Sequence, residues 1–500
     1  MNKKPFKVLI IYPNKMMQVT IPISISILTA VLKKNDIEVK LFDTTFYHTE
    51  EKSLDEKLVD ILQLKKFSYK DSIVQPNENN VYLDLIKVAE EFKPNLVGIS
   101  LLEDTYEFGL KLLKSIDYLS IPTIAGGVYT CFAAEKLIAN PSIDMICLGE
   151  GENALVELCE KIRNCEDYNK ILNLWVKMSD GHIIKNAIRE PVDLDKLPFI
   201  DFDVFDESRL YRPMYGKLKK MLHVESNRGC PYACTFCCAP GIRNYYSTYG
   251  YKYFRKKTPA RFIDELVFLK EKYHAEYLMF AAETFLAVSE EELEKFAELY
   301  FKKISLPFWL QTRPITINEK NIKILKQIDC RDISFGVEHG NEEFRRKMLN
   351  RNETNEQIIN AIRLTEDNDI AYSINNMMGF PDETRELFFD TVELNRNFKQ
   401  AKNHTCTIFA PYEGTQLKDV CLKKGYLTKN DKVIDVLHGA EYCYEAMSIE
   451  EIRGMQRCFP LYVRFSKDRY DEILIAENFD SKGEQMFEKL SKEYANEYFI

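Results

Sequence analysis

Short apolar runs alternate with amphipathic stretches over the first 165 residues of the chain. The apolar runs are rich in β-branched residues and have the length of strands, and helical patterns such as Ser26–Lys34 and Tyr106–Ile116 lie between them. Strands that alternate with helices at this spacing predict a parallel, doubly wound sheet. A polar stretch from Glu50 to Asn80 interrupts the pattern and predicts an insertion. The predicted strands are Lys7–Tyr12, Val39–Asp43, Leu96–Leu101, Pro122–Ala125 and Met145–Leu148.

The alternation loosens between residues 166 and 220. The segment NLWVKMSDGHIIKN predicts a hairpin that turns at Asp180 and Gly181. It is followed by PVDLDKLPFIDFDVFD, an acidic segment punctuated by prolines, which predicts a linker between domains.

A second alternating series starts near residue 222 and contains six strand candidates. The helices between them carry start signals: a Thr258-Pro259 N-cap and capping boxes at Ser289 and Thr354. Six strand-helix units are too few for an eight-stranded barrel and predict a partial, open one. The last part of the chain is predicted to be helical. The strand candidates are Leu222–Ser226, Tyr277–Ala281, Pro307–Gln311, Asp332–Val337, Ala371–Met377 and Thr405–Phe409.

Length and charge narrow the class of protein. A chain of 500 residues that is 45% apolar suits two or three domains. Its net charge of −9 provides no basic field for nucleic acid or an anionic membrane surface, so neither is an expected partner. The longest apolar stretch, Ile21–Leu32, is far shorter than the roughly 20 residues of a membrane span. With no signal peptide in view, we expect a cytoplasmic protein without a membrane span.

The chain has thirteen cysteines, most of which stand singly in apolar surroundings and are predicted to be buried. The exception is the string HVESNRGCPYACTFCCAP at the end of the first barrel strand, where Cys230, Cys234 and Cys237 have CxxxCxxC spacing. Three thiolates on one loop can hold three irons of a cubane cluster and leave the fourth iron open to a substrate. A structural zinc site is the alternative, although zinc prefers two ligand pairs and Cys238 is poorly placed as a fourth ligand.

The string RGCPYxCxFC resembles the core motif of the radical S-adenosylmethionine (SAM) superfamily, and the resemblance extends from about Leu222 to Leu427. It implies that the three cysteines ligate a 4Fe-4S cluster whose open iron binds the amino and carboxylate groups of SAM. Phe236 occupies the position of the family's usual aromatic residue.

Later strand ends carry further parts of the resemblance. The strings FAAETF, WLQTRP, GVEHGNEEF and MGFPDET follow the second to fifth strands, and FAPYEGTQL follows the sixth. His339 departs from the serine of relatives, and Glu413 replaces a proline-glycine step. Each charged residue alone would otherwise be interpreted as a surface charge or an ion pair. The residues implied to contact SAM are Phe236, Glu283, Arg313, Glu338 and Gly379.

A Rossmann-like sheet before such a core resembles the cobalamin-binding members of the superfamily. VGISLL and IAGGV match two of the three signals of cobalamin domains, and they imply contacts from Ser100, Leu102, Gly126 and Gly127. The first signal, D-x-H-x-x-G, is missing from YPNKMMQVTIP, so no histidine is expected below the cobalt. A sheet that binds nothing, or another nucleotide, is the alternative; the dinucleotide fingerprint G-x-G-x-x-G is absent after the first strand.

The resemblance implies four regions and three cofactors. The regions are a cobalamin-binding domain (1–165), a hairpin and linker (166–220), a radical SAM core (221–427) and a helical C-terminal region (428–500). The cofactors are a 4Fe-4S cluster, SAM and cobalamin.

The resemblance also implies the reaction. The hypothesis is C-methylation of an unactivated carbon on a small molecule or peptide, with an electron donor such as flavodoxin or ferredoxin. Radical cyclisation, rearrangement or ring contraction is the alternative reaction, and a corrinoid-binding carrier or sensor is the non-enzyme alternative. No catalytic residue can be named from the sequence.

Overall fold

The computed structural model describes residues 5–70, 72–428, 431, 433–435, 437, 439–440 and 446–499. The described residues form two compact units. The first unit comprises those within 1–54, 68–224 and 242–275, and the second comprises those within 55–67, 225–241 and 276–500.

The strands follow the predicted alternation. In chain order they are β1 (Phe6–Tyr12), β2 (Ile37–Asp43), β3 (Leu96–Ser100), β4 (Thr123–Gly126), β5 (Met145–Cys147), β6 (Leu174–Lys177), β7 (Ile183–Lys185), β8 (Tyr211–Met214), β9 (Lys217–Val224), β10 (Asn227–Arg228), β11 (Arg255–Lys256), β12 (Tyr277–Phe280), β13 (Phe308–Thr312), β14 (Cys330–Glu338), β15 (Ala371–Met378), β16 (His404–Ile408), β17 (Val433–Asp435) and β18 (Gly439–Ala440).

The helices occupy the segments between these strands and the C-terminal region. They are α1 (Ile23–Lys34), α2 (Leu54–Asp60), α3 (Val81–Phe92), α4 (Tyr106–Ile116), α5 (Val128–Phe132), α6 (Ala134–Ile138), α7 (Glu152–Arg163), α8 (Ala239–Ser247), α9 (Pro259–Tyr273), α10 (Glu290–Lys303), α11 (Glu319–Gln327), α12 (Glu342–Met348), α13 (Asn355–Asp367), α14 (Arg385–Asn395), α15 (Gln416–Lys424), α16 (Ile449–Arg464), α17 (Tyr470–Ala476) and α18 (Ser481–Tyr498).

The sheet of the first unit has the strand order β2-β1-β3-β4-β5-β6-β7. Strands β1 to β5 are parallel, as predicted, and the predicted hairpin β6-β7 continues the sheet with antiparallel pairing. The strand order reverses between β1 and β3. Ligands of open α/β sheets bind beyond the carboxyl ends of the strands at such a switch point.

The acidic segment predicted as a linker packs within the first unit. The backbone N–H of Ile200 donates to the Glu265 carboxylate at 3.0 Å, and that carboxylate also pairs with Lys257 at 2.6 Å. The backbone N–H of Phe202 donates to the Tyr273 hydroxyl at 2.9 Å. Helix α9 therefore belongs to the first unit as well. The division of the chain into the four predicted regions stays a prediction.

Five parallel strands of the second unit lie in the order β12-β13-β14-β15-β16, and helices connect them. With β9, all six predicted strands are present, and the fold class is confirmed as a Rossmann-like sheet followed by an open half-barrel. The capping boxes at Ser289 and Thr354 form as predicted, and Thr258 caps α9. Helices α16, α17 and α18 bear out the predicted helical C-terminus, of which parts between 429 and 445 lie outside the described residues.

The insertion contributes a segment to the second unit, which its sequence did not predict. Gln63 is 1% exposed and lies against β16, the outer strand of the five. Its side-chain amide accepts from the N–H of Cys406 at 2.9 Å and donates to the Cys406 carbonyl at 3.2 Å. The amide thereby pairs with this strand edge as a neighbouring strand would, and covers backbone groups that would otherwise invite pairing with another chain.

None of the described helices combines the length and apolar character that crossing a membrane requires.

Gln63→Leu should destabilise the protein by about 1–3 kcal/mol, because the buried N–H of Cys406 loses its acceptor. The apparent Tm measures the effect. Gln400→Leu, at an exposed position, is the control and should change stability by less than about 0.5 kcal/mol. Equal Tm values for the two variants would contradict the role given to Gln63.

Candidate active site

The loop that carries the three cysteines is anchored by the N–H of Leu417, which donates to the Thr235 carbonyl at 3.1 Å, and by one short segment, residues 348–350. The Thr235 hydroxyl donates to the Met348 carbonyl at 2.6 Å, and the Thr235 N–H donates to the Leu349 carbonyl at 3.3 Å. The side-chain amide of Asn350 donates to the Ala233 carbonyl at 2.8 Å. These bonds hold the backbone of the loop between the first and third cysteines.

Each of the three thiols has a polar neighbour. Thr284 Oγ1 lies 3.9 Å from the sulfur of Cys230, and the Ala239 N–H donates to the sulfur of Cys237 at 3.5 Å. Arg313 Nη1 lies 4.0 Å from the sulfur of Cys234.

Burial raises the pKa of Cys230, and it raises that of Cys234 to about 11. A hydrogen bond with Cys238, together with burial, raises the pKa of Cys237. These shifts favour the protonated thiols, which would release protons on binding iron.

The donor set fits an iron–sulfur cluster. No group of three or more His, Cys, Asp or Glu side chains in the described part of the chain has the arrangement of a preformed metal site. Three thiols on one anchored loop are nevertheless the soft ligands that such clusters require. The Arg313 Nε atom is also buried without a hydrogen-bond partner, again within the described residues, so this site retains an unused donor beside Cys234.

The residues implied to contact SAM all lie in the second unit. Glu283 is exposed just after β12, Arg313 follows β13, Glu338 is the last residue of β14, and Gly379 follows β15. The carboxyl ends of parallel strands meet at one edge of a sheet, and this is the edge that carries active sites in β/α barrels. Phe236, in the cysteine loop, has its ring centroid 6.4 Å from that of Phe380, the residue after Gly379.

A chain of alternating charges joins Arg313 to Glu338. Arg313 Nη2 donates to Glu353 Oε2 at 2.6 Å, and Arg351 Nε donates to Glu353 Oε1 at 2.9 Å. Arg351 Nη1 donates to Glu338 Oε1 at 2.7 Å, and Nη2 donates to the Gly336 carbonyl at 2.7 Å. The side chains of Arg351 and Glu353 are each 2% exposed. We name these four charged residues the buried ion chain.

The two carboxylates of the buried ion chain differ electrostatically. Burial raises the pKa of Glu338, and Arg351 opposes that shift only in part. Burial also acts on Glu353, but the charges of Arg351 and Arg313 outweigh it and lower the pKa of this carboxyl. Glu353 is therefore the anion that holds the two guanidinium groups together.

Glu338 has a backbone conformation that is rare for a side chain-bearing residue. Its φ is 71°, and the pairing of β14 with β15 shifts register between Gly336 and Glu338. A Cβ at Gly336 would lie 2.5 Å from Glu338 Oε1, so glycine makes room for this carboxylate. Such irregularities turn a side chain in a direction that a regular strand would not, and they concentrate at functional sites.

The departure from the family pattern at His339 has a structural explanation. His339 is fully buried, and its Nδ1 accepts from the N–H of Asn341 at 3.0 Å, so its proton is on Nε2. Nε2 donates to Glu383 Oε1 at 3.2 Å, and Glu383 Oε2 accepts from the N–H of Phe380 at 2.9 Å. The pair thus fixes the turn at Gly379, whose φ is +72°.

Sequence reasoning missed three residues of this site: Arg351, Glu353 and Tyr232. The Tyr232 ring lies under the Arg313 guanidinium at 4.1 Å. The missed signal is the string LNRNET, in which an arginine lies three residues before the N-cap Thr354 and a glutamate lies directly before it.

The four residues implied to contact cobalamin lie together at the carboxyl edge of the first sheet. The N–H of Leu101, between Ser100 and Leu102, donates to the Gly126 carbonyl at 2.8 Å. Leu102 is 39% exposed, which is unusual for a leucine, and no atom lies within 4 Å of a Cβ built at Gly126. An exposed apolar side chain beside an open glycine suits the approach of a large ligand.

The loop after β1 lacks the histidine motif and is held by other residues. Asn14 Nδ2 donates to the Gln18 carbonyl at 2.8 Å, and Arg209 Nη1 donates to the same carbonyl at 3.0 Å. Lys15 pairs with Asp104, from the loop after β3, at 2.9 Å. This ion pair crosses the point where the strand order reverses.

Two family models match the chain. The model of the radical SAM superfamily matches residues 224–394, which include the cysteine loop and the strand ends. These residues form a radical SAM domain, and the chain is an enzyme. The model of the B12 binding domain matches residues 14–159, so the chain combines a B12 binding domain with a radical SAM domain and has a 4Fe-4S cluster, SAM and cobalamin as its cofactors.

Individual relatives are similar to the chain over about two thirds of its length or more. An uncharacterized methyltransferase of Pyrococcus horikoshii is 25% identical over 359 residues, 70% of this chain and 74% of the relative. An anaerobic magnesium-protoporphyrin IX monomethyl ester cyclase of Rubrivivax gelatinosus is 25% identical over 348 residues, 67% of this chain and 60% of the relative. The radical S-adenosylmethionine methyltransferase TsrM from Kitasatospora setae, solved with cobalamin and a 4Fe-4S cluster bound, shares the fold with a TM-score of 0.62 at 18% identity, over 83% of this chain and 75% of that one.

Adjacent glycines should respond differently to substitution. At Gly127, whose φ is +105°, a Cβ would lie 2.5 Å from the Leu101 carbonyl oxygen, so Gly127→Ala should destabilise the protein by about 1–3 kcal/mol. Gly126→Ala is the matched control and should leave the apparent Tm unchanged, because its Cβ meets open space. Equal losses of stability in the two variants would contradict this account.

Proposed function

We propose that the protein is a cobalamin-dependent radical SAM methyltransferase that methylates an unactivated carbon. The observation that carries the proposal is the anchored cysteine loop with Arg313 beside it, joined by the buried ion chain to Glu338. Two of the relatives above are named as methyltransferases, which supports methyl transfer as the outcome.

Each set of residues has a role in this proposal. Cys230, Cys234 and Cys237 hold the cluster. The strand-end residues position SAM: Phe236, Glu283, Arg313, Glu338 and Gly379. The carboxyl edge of the first sheet holds cobalamin through Ser100, Leu102, Gly126 and Gly127. When bound, these cofactors supply cleavage of the C–S bond of SAM to a 5′-deoxyadenosyl radical and a transferable methyl group.

The side chains provide orientation and charge. Arg313, fixed by Glu353 and by the Tyr232 ring, offers its guanidinium to a carboxylate such as that of SAM. The exposed Glu283 offers an acceptor to an ammonium group. The Glu338 side chain is only 14% exposed, so little water competes for any hydrogen bond it accepts.

The remaining parts of the proposal concern partners. The substrate is a small molecule or peptide, and a flavodoxin or ferredoxin supplies the electron that reduces the cluster. The protein works in the cytoplasm. The alternative outcome is cyclisation, rearrangement or ring contraction. The relative named as a cyclase supports this alternative.

The cysteine loop provides the first test. After anaerobic purification and reconstitution with iron and sulfide, the wild type with reductant and SAM should form 5′-deoxyadenosine. Cys230→Ala should lose cluster loading, because two thiols cannot hold the cluster, and should retain corrinoid uptake. Cys238→Ala is the control and should load as the wild type does. A loaded wild type that forms no 5′-deoxyadenosine would refute the radical assignment.

Methyl transfer is tested by isotope. With SAM carrying a trideuterated methyl group, and with corrinoid and substrate present, a methylated product should gain about 17 mass units over the unlabelled substrate, the mass of a CD₃ group less one hydrogen. A product that lacks the label and has lost hydrogen would instead support cyclisation. The assay needs the substrate, and the genes next to the one that encodes this protein would help to identify it.

A further inference from the structure

One short segment, residues 348–353, contacts both halves of the candidate site in the second unit. Its first part, Met348 to Asn350, holds the cysteine loop through three hydrogen bonds to Ala233 and Thr235. Its second part carries Arg351 and Glu353, the two inner members of the buried ion chain.

Each nitrogen atom of the Arg351 guanidinium donates a hydrogen bond. Nη1 bonds to Glu338, Nη2 to the Gly336 carbonyl and Nε to Glu353, at 2.7, 2.7 and 2.9 Å. Two of these contacts lie on either side of the register shift in β14. The planar fork therefore holds both the carboxylate and the irregular backbone of the strand end.

Glu353 performs the matching task for Arg313. It joins the Nη2 of Arg313 to the Nε of Arg351 with its two carboxylate oxygens. This leaves Arg313 Nη1 beside Cys234 and the Nε atom without a partner among the described residues. Glu353 thus determines which nitrogen atoms of the Arg313 guanidinium point toward the cysteine loop.

We infer that Arg351 and Glu353 are positioning residues for SAM, and that Asn350 positions the cluster loop, so that a single segment aligns the two. This inference rests on the proposed function. Arg351 and Glu353 act through Glu338 and Arg313 and do not themselves touch SAM. The segment then determines the distance between the thiols that hold the cluster and the side chains that hold SAM.

The test separates SAM binding from cluster loading. Arg351→Lys keeps the charge and loses the fork, and Glu353→Gln keeps the shape and loses the charge. Both should load iron and sulfide as the wild type does. The SAM concentration that gives half of the change in the EPR spectrum of the reduced cluster should rise about 10- to 100-fold, as expected when the displaced Glu338 or Arg313 loses one charged hydrogen bond to SAM.

Two variants serve as matched comparisons. Arg457→Lys alters a buried arginine that pairs with Glu484 and the carbonyls of Ala476 and Asn478, in the C-terminal helices. It should lower the apparent Tm and leave the SAM titration unchanged. Asn350→Gly keeps the left-handed backbone, φ 53°, and removes the amide; it should lose iron to a chelator faster than the wild type, with the SAM titration unchanged.

The outcomes are distinct. Wild-type SAM titrations for both Arg351→Lys and Glu353→Gln would overturn the inference and leave the ion chain a structural feature. Loss of cluster loading in either variant would overturn the division of roles within the segment. If Arg351→Lys does not fold, Glu353→Gln decides, since its amide oxygen still accepts from one of the two arginines. A wild type that loads no cluster or does not bind SAM would refute the proposed function rather than the positioning roles.

Discussion

The arrangement of the second unit depends on the pairing of four largely buried charges. Removing a charged group from water costs several kcal/mol, and the cost is recovered only where opposite charges and hydrogen bonds meet it closely. Arg313, Glu353, Arg351 and Glu338 satisfy this condition by alternating in sign along a continuous path. Since the interior would not tolerate one of them alone, each residue fixes the place of the next. The ends of β13 and β14 are thereby locked to the turn before α13.

The same pairing explains how a strained backbone persists at Glu338. A left-handed residue in a strand costs about 1–3 kcal/mol and remains only where its surroundings determine it. Arg351 supplies that determination, because one guanidinium bonds both the Glu338 carboxylate and the Gly336 carbonyl. The register shift therefore does not relax into a regular strand. The carboxylate keeps a direction that regular pleating would not allow.

Local signals in the sequence were sufficient for the elements and for part of the site. Apolar periodicity located the strands, and the capping box at Ser289 located the start of α10, because both depend on residues close in sequence. Arg313 and Glu338 could be named because they occupy strand ends within matched motifs. Glu353 could not, because its partner is 40 residues away and becomes visible only in the fold. Gln63, which pairs with a strand 343 residues away, was missed for the same reason.

The loop after β1 lacks the histidine motif, and contacts from other residues hold its backbone in place. This loop is held by Arg209, which donates to the carbonyls of Gln18 and Thr20, and by His223, which accepts from the N–H of Ile21. The pair Lys15–Asp104 then spans the switch point, where a ligand of such a sheet binds. The loop beside the switch point is thus positioned by hydrogen bonds and by one ion pair, and these contacts fix its backbone without the histidine motif.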